Sequence, residues 1–421
     1  MKFIADLHIH SRFSRATSKT LDLRNLESAA RVKGITVLGT GDATHPEWIA
    51  EIRKHLEPSG SGLFRIRIDD GSSTQDPVRF ILQSEISCIY KKQGKTRKSH
   101  HLVFFPDLEG QERFNRKLSR IGKIHSDGRP ILGLDARHLL EIVLESSEDG
   151  VLIPAHIWTP WFSVLGSKSG FDNIEECFED LTHHVFAVET GLSSDPPMNR
   201  RVSGLDALTL ISNSDAHSAA KLGREANLFD TDLSYTGIFE AIRSADPIRF
   251  LGTIEFFPEE GKYHLDGHRR CGVRTLPEET RSTAGRCPSC GKSMTLGVLY
   301  RVEELADRSE GLSCSKMLPF QRLIPLTDIL SEVFACGPGS LKVGRAYRKL
   351  ISCFGSELAI LREVDPEAVA SADIPLLAEA IRRMRDGRVS IAPGYDGVFG
   401  DIRIFSPAER DRFSGRSTLL P

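Results

Sequence analysis

The chain has 421 residues and a formal net charge of −2, with 40% apolar and 27% charged residues. This composition is typical of a globular protein with a sizeable core, and the length allows two or three domains. A charge so close to zero excludes a protein-wide attraction to nucleic acid, so any polyanion site has to be a local patch. No apolar run is long enough to span a bilayer and the first residues lack a signal-peptide pattern, so we expect a cytoplasmic protein with no membrane partner.

The first predicted strand, KFIADL (2–7), leads directly into His8 and His10. Residues two apart in a strand face the same side, so both imidazoles are expected to point at one spot. Two histidines aimed at a common point are typical of a metal site. The rest of the chain therefore has to be searched for further ligands.

Up to about residue 257, short apolar runs alternate with helical patterns that often end in glycine, as at Gly34 and Gly122. This alternation predicts repeated βα units around a parallel sheet or barrel. Seven such runs predict a nearly complete (β/α) barrel. The predicted strands are KFIADL, ITVLGT, RFILQSE, HLVFF, VLIPAH, VFAVET and LTLISN.

Nearly every predicted strand ends in a histidine or an acidic residue. Singly, such a residue is usually a surface group or a helix N-cap, but together they converge on the face of a barrel where active sites lie. Imidazoles with carboxylates suit zinc or manganese, and a carboxylate bridging two metals about 4 Å apart suits phosphoryl chemistry, a role that we predict for Glu85. The candidate metal ligands are His8, His10, Asp42, His45, Glu85, His101, His156, Glu189, Asp215 and His217.

Two of these positions leave alternatives open. His101 precedes its predicted strand and is nominally at the opposite face of the barrel, so it is either a ligand on an irregular strand or a structural residue. The loop after the second strand offers both Asp42 and His45 as candidate ligands, and which of them binds is left open.

The motif order DLHIHS, GD, E, H and SDAH resembles the PHP family, which is named for polymerase and histidinol phosphatase. The resemblance covers roughly residues 1–257. It implies a distorted (β/α)7 barrel that carries up to three metal ions and hydrolyses phosphoesters. One motif departs from the family, because Ala43 follows Asp42 where histidine is usual.

Residues 258–315 are rich in Gly, Pro, Cys and Arg, which predicts a small metal-stapled module. His268-x-x-Cys271 and Cys287-x-x-Cys290 form two knuckle-like pairs whose spacing suits a structural zinc ion. His264 is the alternative to His268, although the x2 spacing favours His268. Residues 316–421 read mainly as helices, and we expect them to form a DNA-binding domain.

A phosphoesterase for a small metabolite needs neither added unit, so the sequence favours a large substrate. Across the whole chain, the segments KYHLDGHRRCG, CPSCGK, RVEELADR, FGSELAIL and PGYDGVFGDI resemble the endonuclease Q family. The resemblance implies a metal-dependent DNA repair endonuclease that cuts the phosphodiester 5′ to a deaminated base (uracil or hypoxanthine) or an abasic site. Zn²⁺ is expected in both sites, and Mg²⁺ or Mn²⁺ are possible metals for activity.

Recognition of one damaged base requires its extrusion into a pocket. The loop that begins at His156, HIWTPWFSVLGSKSGF, offers aromatic rings and serines for this. Each aromatic alone also fits a hydrophobic lid, but two of the three tryptophans of the chain lie in this loop, which favours substrate contact. Catalytic roles are assigned to Glu85, Asp215 and Asp195, the last of which closely follows a barrel strand. The candidate DNA contacts are Arg12, Arg15, Lys19, Trp158, Trp161, Ser167, Ser169, Arg269 and Arg270.

Two rival functions stay open at this level. A small-molecule phosphomonoesterase of the histidinol-phosphatase kind would hydrolyse phosphomonoesters without cutting DNA. A non-catalytic DNA-binding scaffold would have lost several ligands, whereas this sequence retains nearly all of them.

Overall fold

The computed structural model describes residues 1–67, 78–311, 317–406 and 408–409. Its strands are β1 (Lys2–Asp6), β2 (Val37–Gly39), β3 (Leu56–Pro58), β4 (Phe64–Ile66), β5 (Arg79–Lys92), β6 (Lys95–Phe105), β7 (Ile131–Leu132), β8 (Val151–Pro154), β9 (Ala187–Glu189), β10 (Thr209–Ile211), β11 (Ala226–Asp230), β12 (Phe250–Glu255), β13 (Asp266–His268), β14 (Val273–Thr275), β15 (Phe320–Arg322), β16 (Ser390–Ala392) and β17 (Asp401–Arg403). Its helices are α1 (Leu23–Lys33), α2 (Pro46–His55), α3 (Leu108–Ser119), α4 (Ala136–Ser146), α5 (Ile174–Phe178), α6 (Pro196–Asn199), α7 (Tyr235–Ser244), α8 (Pro277–Ser282), α9 (Val298–Leu305), α10 (Leu326–Phe334), α11 (Leu341–Phe354), α12 (Glu357–Arg362), α13 (Pro366–Ala370) and α14 (Leu377–Arg385).

The barrel wall consists of β1, β2, β5, β6, β8, β9 and β10, which correspond to the seven predicted strands. Strands β1, β2 and β5 are parallel neighbours, and β9 is parallel to β10. The ring closes just beyond the strand ends, where Ile9 pairs with Ala216 and the N–H of Ile157 donates to the carbonyl of Glu189 at 3.1 Å. The predicted fold class, an α/β distorted barrel followed by a Cys/His module and mainly helical C-terminal residues, is confirmed.

One strand departs from the predicted parallel arrangement. Strands β5 and β6 form an antiparallel hairpin, and β6 also runs antiparallel to β8. The connecting turn is only Gln93–Gly94, and both residues have positive φ, as a tight hairpin turn requires. Because β6 runs in reverse, its first half lies at the edge of the barrel where its neighbours end.

Three further strands extend the sheet outside the barrel wall. Strand β11 pairs antiparallel with β1, β12 pairs antiparallel with β11, and β15 pairs parallel with β12. Strand β15 therefore carries the chain back to the barrel before the C-terminal helices begin. The domain boundary expected at 315/316 lies outside the described residues.

The C-terminal helices share a hydrophobic core with the barrel helices. Leu26 of α1 and Trp48 of α2 belong to the same buried cluster as Ile329 of α10 and Leu350 of α11. Burial of side chains of this size is the main source of stability available to such an interface. Within the described ranges, no helix is both long enough and apolar enough to cross a membrane.

A buried arginine is one of the contacts between the Cys/His module and the barrel. Arg301 of α9 donates to the carbonyl oxygens of Leu165 at 3.1 Å and Phe171 at 3.0 Å, and its guanidinium also pairs with Asp172 at 2.5 Å. Both carbonyls belong to the loop that follows β8. The module is thereby tied to a loop that borders the strand ends.

Candidate active site

The strand ends of the barrel bring together two groups of candidate metal-ligand atoms. In the first group, atoms of His8, His10, Glu85 and Asp215 all lie within 4.8 Å of one another. In the second, atoms of Glu85, His100 and His156 do so. Local structure accounts for the first pair, because Leu7 and Ile9 point into the core and leave the alternate histidines facing the centre.

Glu85 belongs to both groups and lies between them. Its Oε2 is 3.1 Å from Nε2 of His10 and 3.4 Å from Nε2 of His8. Its Oε1 is 2.6 Å from Nδ1 of His100 and 3.2 Å from Nε2 of His156. Each carboxylate oxygen thus faces a different pair of imidazoles, which is the arrangement that a bridging carboxylate needs.

Two of the predicted ligands lie outside the two groups and contact the Nδ1 atoms of the histidines, on the side of each ring away from the centre. Glu189 places both carboxylate oxygens 3.1 Å from Nδ1 of His8, and Asp42 places Oδ1 3.0 Å from Nδ1 of His10. Glu189 is itself held by the side-chain amide of Asn213 at 2.9 Å. Such partners fix the tautomer of an imidazole and leave its Nε2 for a metal, so the structure assigns Asp42 and Glu189 this orienting position.

The backbone is strained at three of the predicted site residues. Asp42, His156 and Asp215 have φ values of 49°, 28° and 45°, in the left-handed region that side chains seldom adopt. A close approach adds to the constraint, because a Cβ at Gly191 would lie 2.4 Å from Cβ of His156. Strain of this kind is typical of functional sites, where the surrounding structure holds the side chains in place.

The electrostatics of the centre favour bound positive charge. Burial alone would lower the pKa of His8, but the carboxylates of Glu189 and Glu85 raise it to about 10. Burial lowers the pKa of His100 to about 4, so this imidazole is neutral at pH 7, as a metal ligand must be. Without a cation, protons on the buried histidines supply the positive charge that the carboxylates require.

The donor set fits divalent cations. Carboxylate oxygens and imidazole nitrogens together suit zinc, manganese and related ions. In the described part of the chain, Nε2 of His8 is a buried nitrogen without a hydrogen-bond partner, and a cation among these donors would satisfy it. The centre is therefore a candidate metal site in which Glu85 is common to both groups.

His101 does not face this centre, which favours a structural residue over a ligand among the two alternatives left open for it. Side chains alternate along β6, so His100 points to Glu85 while His101 points to the other side. There its Nε2 lies 2.7 Å from Oγ of Ser99 and its ring packs edge-on against Phe178 at 5.5 Å. Reversal of β6 is what places His100 at the active edge.

His45 and His217 also lie outside the two groups. His45 precedes α2, where its Nε2 is 3.2 Å from the carbonyl oxygen of His125 and its ring stacks on Phe13 at 4.4 Å. His217 is closer, with its ring 4.5 Å from that of His10 and its half-exposed side chain at the rim of the centre. The structure thus excludes His45 from the clusters and leaves His217 beside them.

Asp195, for which a catalytic role is predicted, has a structural position at the start of α6. Its carboxylate accepts the N–H of Met198 at 3.0 Å and caps α6, and it pairs with the guanidinium of Arg322. Trp158 is likewise buried, and its indole N–H donates to the side chain of Asn199 at 2.8 Å. A residue enclosed in this way is part of the core and does not offer a stacking surface to a base.

The other predicted DNA contacts divide by exposure. Trp161 is 44% exposed and borders a cavity of about 780 Å³ between the barrel and the module. Ser169 is buried, and its hydroxyl donates to the carbonyl of Lys98 at 3.2 Å, which is a structural contact. Arg12 and Arg15 pair with Glu51 and Asp127. Exposed side chains are present at Arg12, Arg15, Lys19, Ser167, Arg269 and Arg270.

The Cys/His module brings its four predicted ligands together. Donor atoms of His268, Cys271, Cys287 and Cys290 lie within 4.8 Å of one another, and Sγ of Cys290 is 3.5 Å from Nδ1 of His268. His264, the alternative ligand, is buried at the cavity, and burial lowers its pKa to about 4. His268 is therefore the histidine that belongs to the cluster.

Sequence reasoning missed two residues of the centre. His100 was passed over for its neighbour, although a hairpin signal at Gln93–Gly94 would have reversed β6 and changed the choice. Arg129 lies in a loop with no motif, and its guanidinium is 3.0 Å from Oε2 of Glu85. Together with His100 it holds the pKa of Glu85 well below its usual value, against the effect of burial.

The strand ends of the barrel thus gather histidines and carboxylates into two adjoining groups of candidate metal ligands. Residues 325–388 match the family described as MJ0043 C-terminal domain. The chain is 32% identical over 416 residues to the uncharacterized protein YqxK of Bacillus subtilis, which covers 96% of this chain and 99% of that protein. It is 33% identical over 309 residues to the uncharacterized protein MJ0043 of Methanocaldococcus jannaschii, or 71% of this chain and 37% of that protein.

Two solved structures match over nearly the whole chain. The lesion-specific endonuclease PfuEndoQ from Pyrococcus furiosus is 33% identical, with a TM-score of 0.84 over 96% of this chain and 95% of its own. Endonuclease Q in complex with a 27-mer duplex that carries an abasic lesion at the active site is 33% identical, with a TM-score of 0.83 over 97% and 98%. The chain belongs to the endonuclease Q family.

Proposed function

We propose that this chain is a metal-dependent DNA repair endonuclease that cuts the phosphodiester 5′ to uracil, hypoxanthine or an abasic site. The observation that carries the proposal is the position of Glu85 between two metal-ligand groups at the strand ends of the barrel. The surrounding chain matches, over 97% of its length, an endonuclease seen on a lesion-containing duplex. The module and the C-terminal helices also favour a DNA substrate, because a phosphatase for a small molecule would not need them.

The proposed ligands of the barrel cations are those of the two groups. Up to three ions are proposed there, with Zn²⁺, Mn²⁺ and Mg²⁺ as candidates, and a further Zn²⁺ at His268, Cys271, Cys287 and Cys290. When bound, divalent cations stabilise negative charge on a phosphate and lower the pKa of water. Glu189 and Asp42 keep the imidazoles of His8 and His10 oriented for that purpose.

The proposed reaction adds the oxygen of one water to phosphorus and breaks the bond to the 3′ oxygen of the preceding nucleotide. A proton is transferred to that 3′ oxygen, so the products are a 3′-hydroxyl and a lesion-bearing 5′-phosphate. Asp215 is the partly exposed carboxylate of the centre, with 26% of its side chain accessible, and we assign it the contact with incoming water. Glu85 is fully buried and is assigned to hold the cations.

Exposed residues around the centre are the proposed DNA contacts. Arg12, Arg15 and Lys19 follow His10 directly in the chain, and Arg269 and Arg270 project from the module. Cationic side chains of this kind hold phosphates, while the exposed ring of Trp161 offers a stacking surface. We also propose that the enzyme works in the cytoplasm, because thiolate ligands such as Cys290 persist in a reducing compartment.

The test uses a 5′-labelled duplex with one central deoxyuridine, deoxyinosine or abasic site, beside an undamaged duplex. The protein is assayed with Mg²⁺, Mn²⁺ and Zn²⁺, together with His8→Ala and Asp215→Asn. We expect cutting immediately 5′ to the lesion, an end that a polymerase extends, and loss of cutting in both variants. Absence of cutting at all three lesions with every metal, together with turnover of p-nitrophenyl phosphate, would replace the proposal with the phosphatase.

A further inference from the structure

Lys98 lies on the active side of β6, two residues before His100. Side chains two apart in a strand share a face, so Lys98 extends the line of His100 outward from the metal centre. The intervening Ser99 faces the other side, where it contacts His101. No feature of the sequence set Lys98 apart from the other lysines of the basic segment 91–98.

The ammonium group of Lys98 is held near the centre by an aromatic ring. Its Nζ lies 5.3 Å from the ring centroid of Phe162, and that ring lies 4.8 Å from the imidazole of His100. These two distances place the ammonium at most about 10 Å from the His100 ring. A cation over an aromatic face is positioned by the ring quadrupole, which does not neutralise its charge.

Lys98 differs from Lys92 and Arg97 in having neither a hydrogen bond nor an ion pair to its charged group among the described residues. Lys92 pairs with Glu179 at 2.6 Å, and the guanidinium of Arg97 is bonded to the carbonyl of Gly170. In the parts of the chain that the structure describes, Lys98 forms no ion pair with a carboxylate and its side chain is half-buried. Its charge is therefore available to an anion that approaches the centre.

The backbone under Lys98 is held on both sides. Its N–H donates to the carbonyl of Ser169 at 3.1 Å, and its own carbonyl accepts the Ser169 hydroxyl at 3.2 Å. The N–H of His100 donates to the carbonyl of Phe162 at 3.0 Å. The loop after β8 thus pairs with the edge of β6, so the lysine projects from a fixed position, as a positioning residue should.

We propose that Lys98 binds a DNA phosphate that flanks the scissile phosphate and so positions the strand over the metal centre. A DNA strand presents one phosphate about every 3.4 Å along the helix axis. A cation at most about 10 Å from His100 can therefore meet one of the nearest phosphates when the scissile one is at the centre. The inference rests on the proposed nuclease function and adds to it a residue that sets substrate register.

The first test compares Lys98→Ala with Lys98→Arg, which keeps the charge, and with Lys95→Ala. Lys95 is an exposed lysine of the same strand on its opposite face and serves as the matched control. Affinity for the lesion duplex is measured by fluorescence anisotropy with Ca²⁺ in place of the activating cation, over a series of salt concentrations. For Lys98→Ala we expect about tenfold weaker binding and a salt slope smaller by about 0.9, the value for one lost phosphate contact.

The second test locates the phosphate. Neutral methylphosphonates are placed one at a time at the three positions on each side of the scissile bond. The wild-type chain should lose affinity at one of these positions, and Lys98→Ala should show no further loss there. In turnover assays on unmodified duplex, Lys98→Ala should raise KM about tenfold and change kcat less than threefold.

The outcomes separate the two proposals. An unchanged salt slope, or equal methylphosphonate effects in wild type and Lys98→Ala, would overturn the role of Lys98 while cutting by the wild type upheld the nuclease. Failure of the wild-type chain to cut or bind lesion DNA would overturn the nuclease and the role of Lys98 together. Full rescue by Lys98→Arg supports a phosphate contact, because a role in packing alone would not depend on the charge.

Discussion

The barrel centre and the Cys/His module are both candidate metal sites, but they collect their ligands differently. The module takes all four donors from residues 268–290, three of them sulfur, and its Cys290 is exposed. The barrel takes nitrogen and oxygen donors from positions as far apart as His8 and Asp215, and most of them are buried. One site is encoded by local spacing and the other by the closure of the barrel.

Because of this difference, we expect the module to contribute to folding stability and the barrel centre to contribute to catalysis. A Cys₃His set satisfies all four positions of a tetrahedral ion and leaves none for a substrate, so it stabilises the fold around it. The barrel centre shares Glu85 between two groups and orients its histidines through Glu189 and Asp42, which is an arrangement for positioning ions that act on a substrate. Changes in the barrel should therefore reduce activity, and changes in the module should reduce stability.

The largest expected effect follows from Glu85→Gln. Loss of the charge common to both groups should lower kcat at least about a thousandfold, because several kcal/mol of transition-state stabilisation depend on the ions that it holds. Initial rates on a uracil-containing duplex measure this, and a thermal melt should show a folded protein. Glu109→Gln, on an exposed part of α3, is the matched control and should cut normally. Normal cutting by Glu85→Gln would remove the centre from the mechanism.

The second prediction compares two adjacent histidines of one strand. His100→Asn should lower activity about 100-fold, whereas His101→Asn should lower it less than tenfold and chiefly reduce the melting temperature. The reason is that only His100 faces Glu85. Initial rates and melts on both variants test this. A greater loss of activity in His101→Asn would mean that β6 presents its other face to the centre.

The third prediction concerns the module and is measured by metal content and melting. Cys287→Ser and His268→Gln should each lose one equivalent of bound metal and melt about 5 °C or more below the wild type. Their kcat at temperatures well below the melt should stay within about threefold. His264→Gln is the matched control and should retain the metal. If His264→Gln lost the metal and His268→Gln retained it, His264 and not His268 would be the histidine ligand.

The smallest expected effect is a pH dependence that arises at His264. Burial lowers its folded-state pKa to about 4, while in the unfolded chain the group has its ordinary value of about 6.5. The unfolded chain therefore binds a proton first, and the stability present above pH 6.5 is lost as the pH falls toward 4. From pH 7.5 to 5.0, urea unfolding of the wild type should lose about 2 kcal/mol more free energy of unfolding than His264→Gln.

If the wild type lost less free energy of unfolding than His264→Gln over this pH range, the pKa of His264 would be raised in the folded chain. Equal losses would mean that the histidine titrates normally in the folded chain. Because His264→Gln retains the Cys/His ligands, release of the module metal in acid affects both proteins alike and cancels in the comparison.

The sequence by itself determined the strands of the barrel, the histidine pair after β1, the Asp215 region and the two knuckle pairs of the module. These features depend on spacing along the chain, since alternate residues of a strand share a face and a knuckle closes within a few residues. It also contained the resemblance to the endonuclease Q family, which the whole-chain matches bear out.

Only the tertiary structure decided which side chains reach the centre. His100 replaces His101 because a two-residue turn reverses β6, and strand direction is a property of pairing that the spacing within one strand cannot reveal. Asp195 caps a helix and Trp158 is enclosed in the core because of what packs against them. Arg129 comes to Glu85 from a loop, and the ammonium of Lys98 lies over the ring of Phe162, since both contacts join residues that are distant in the sequence.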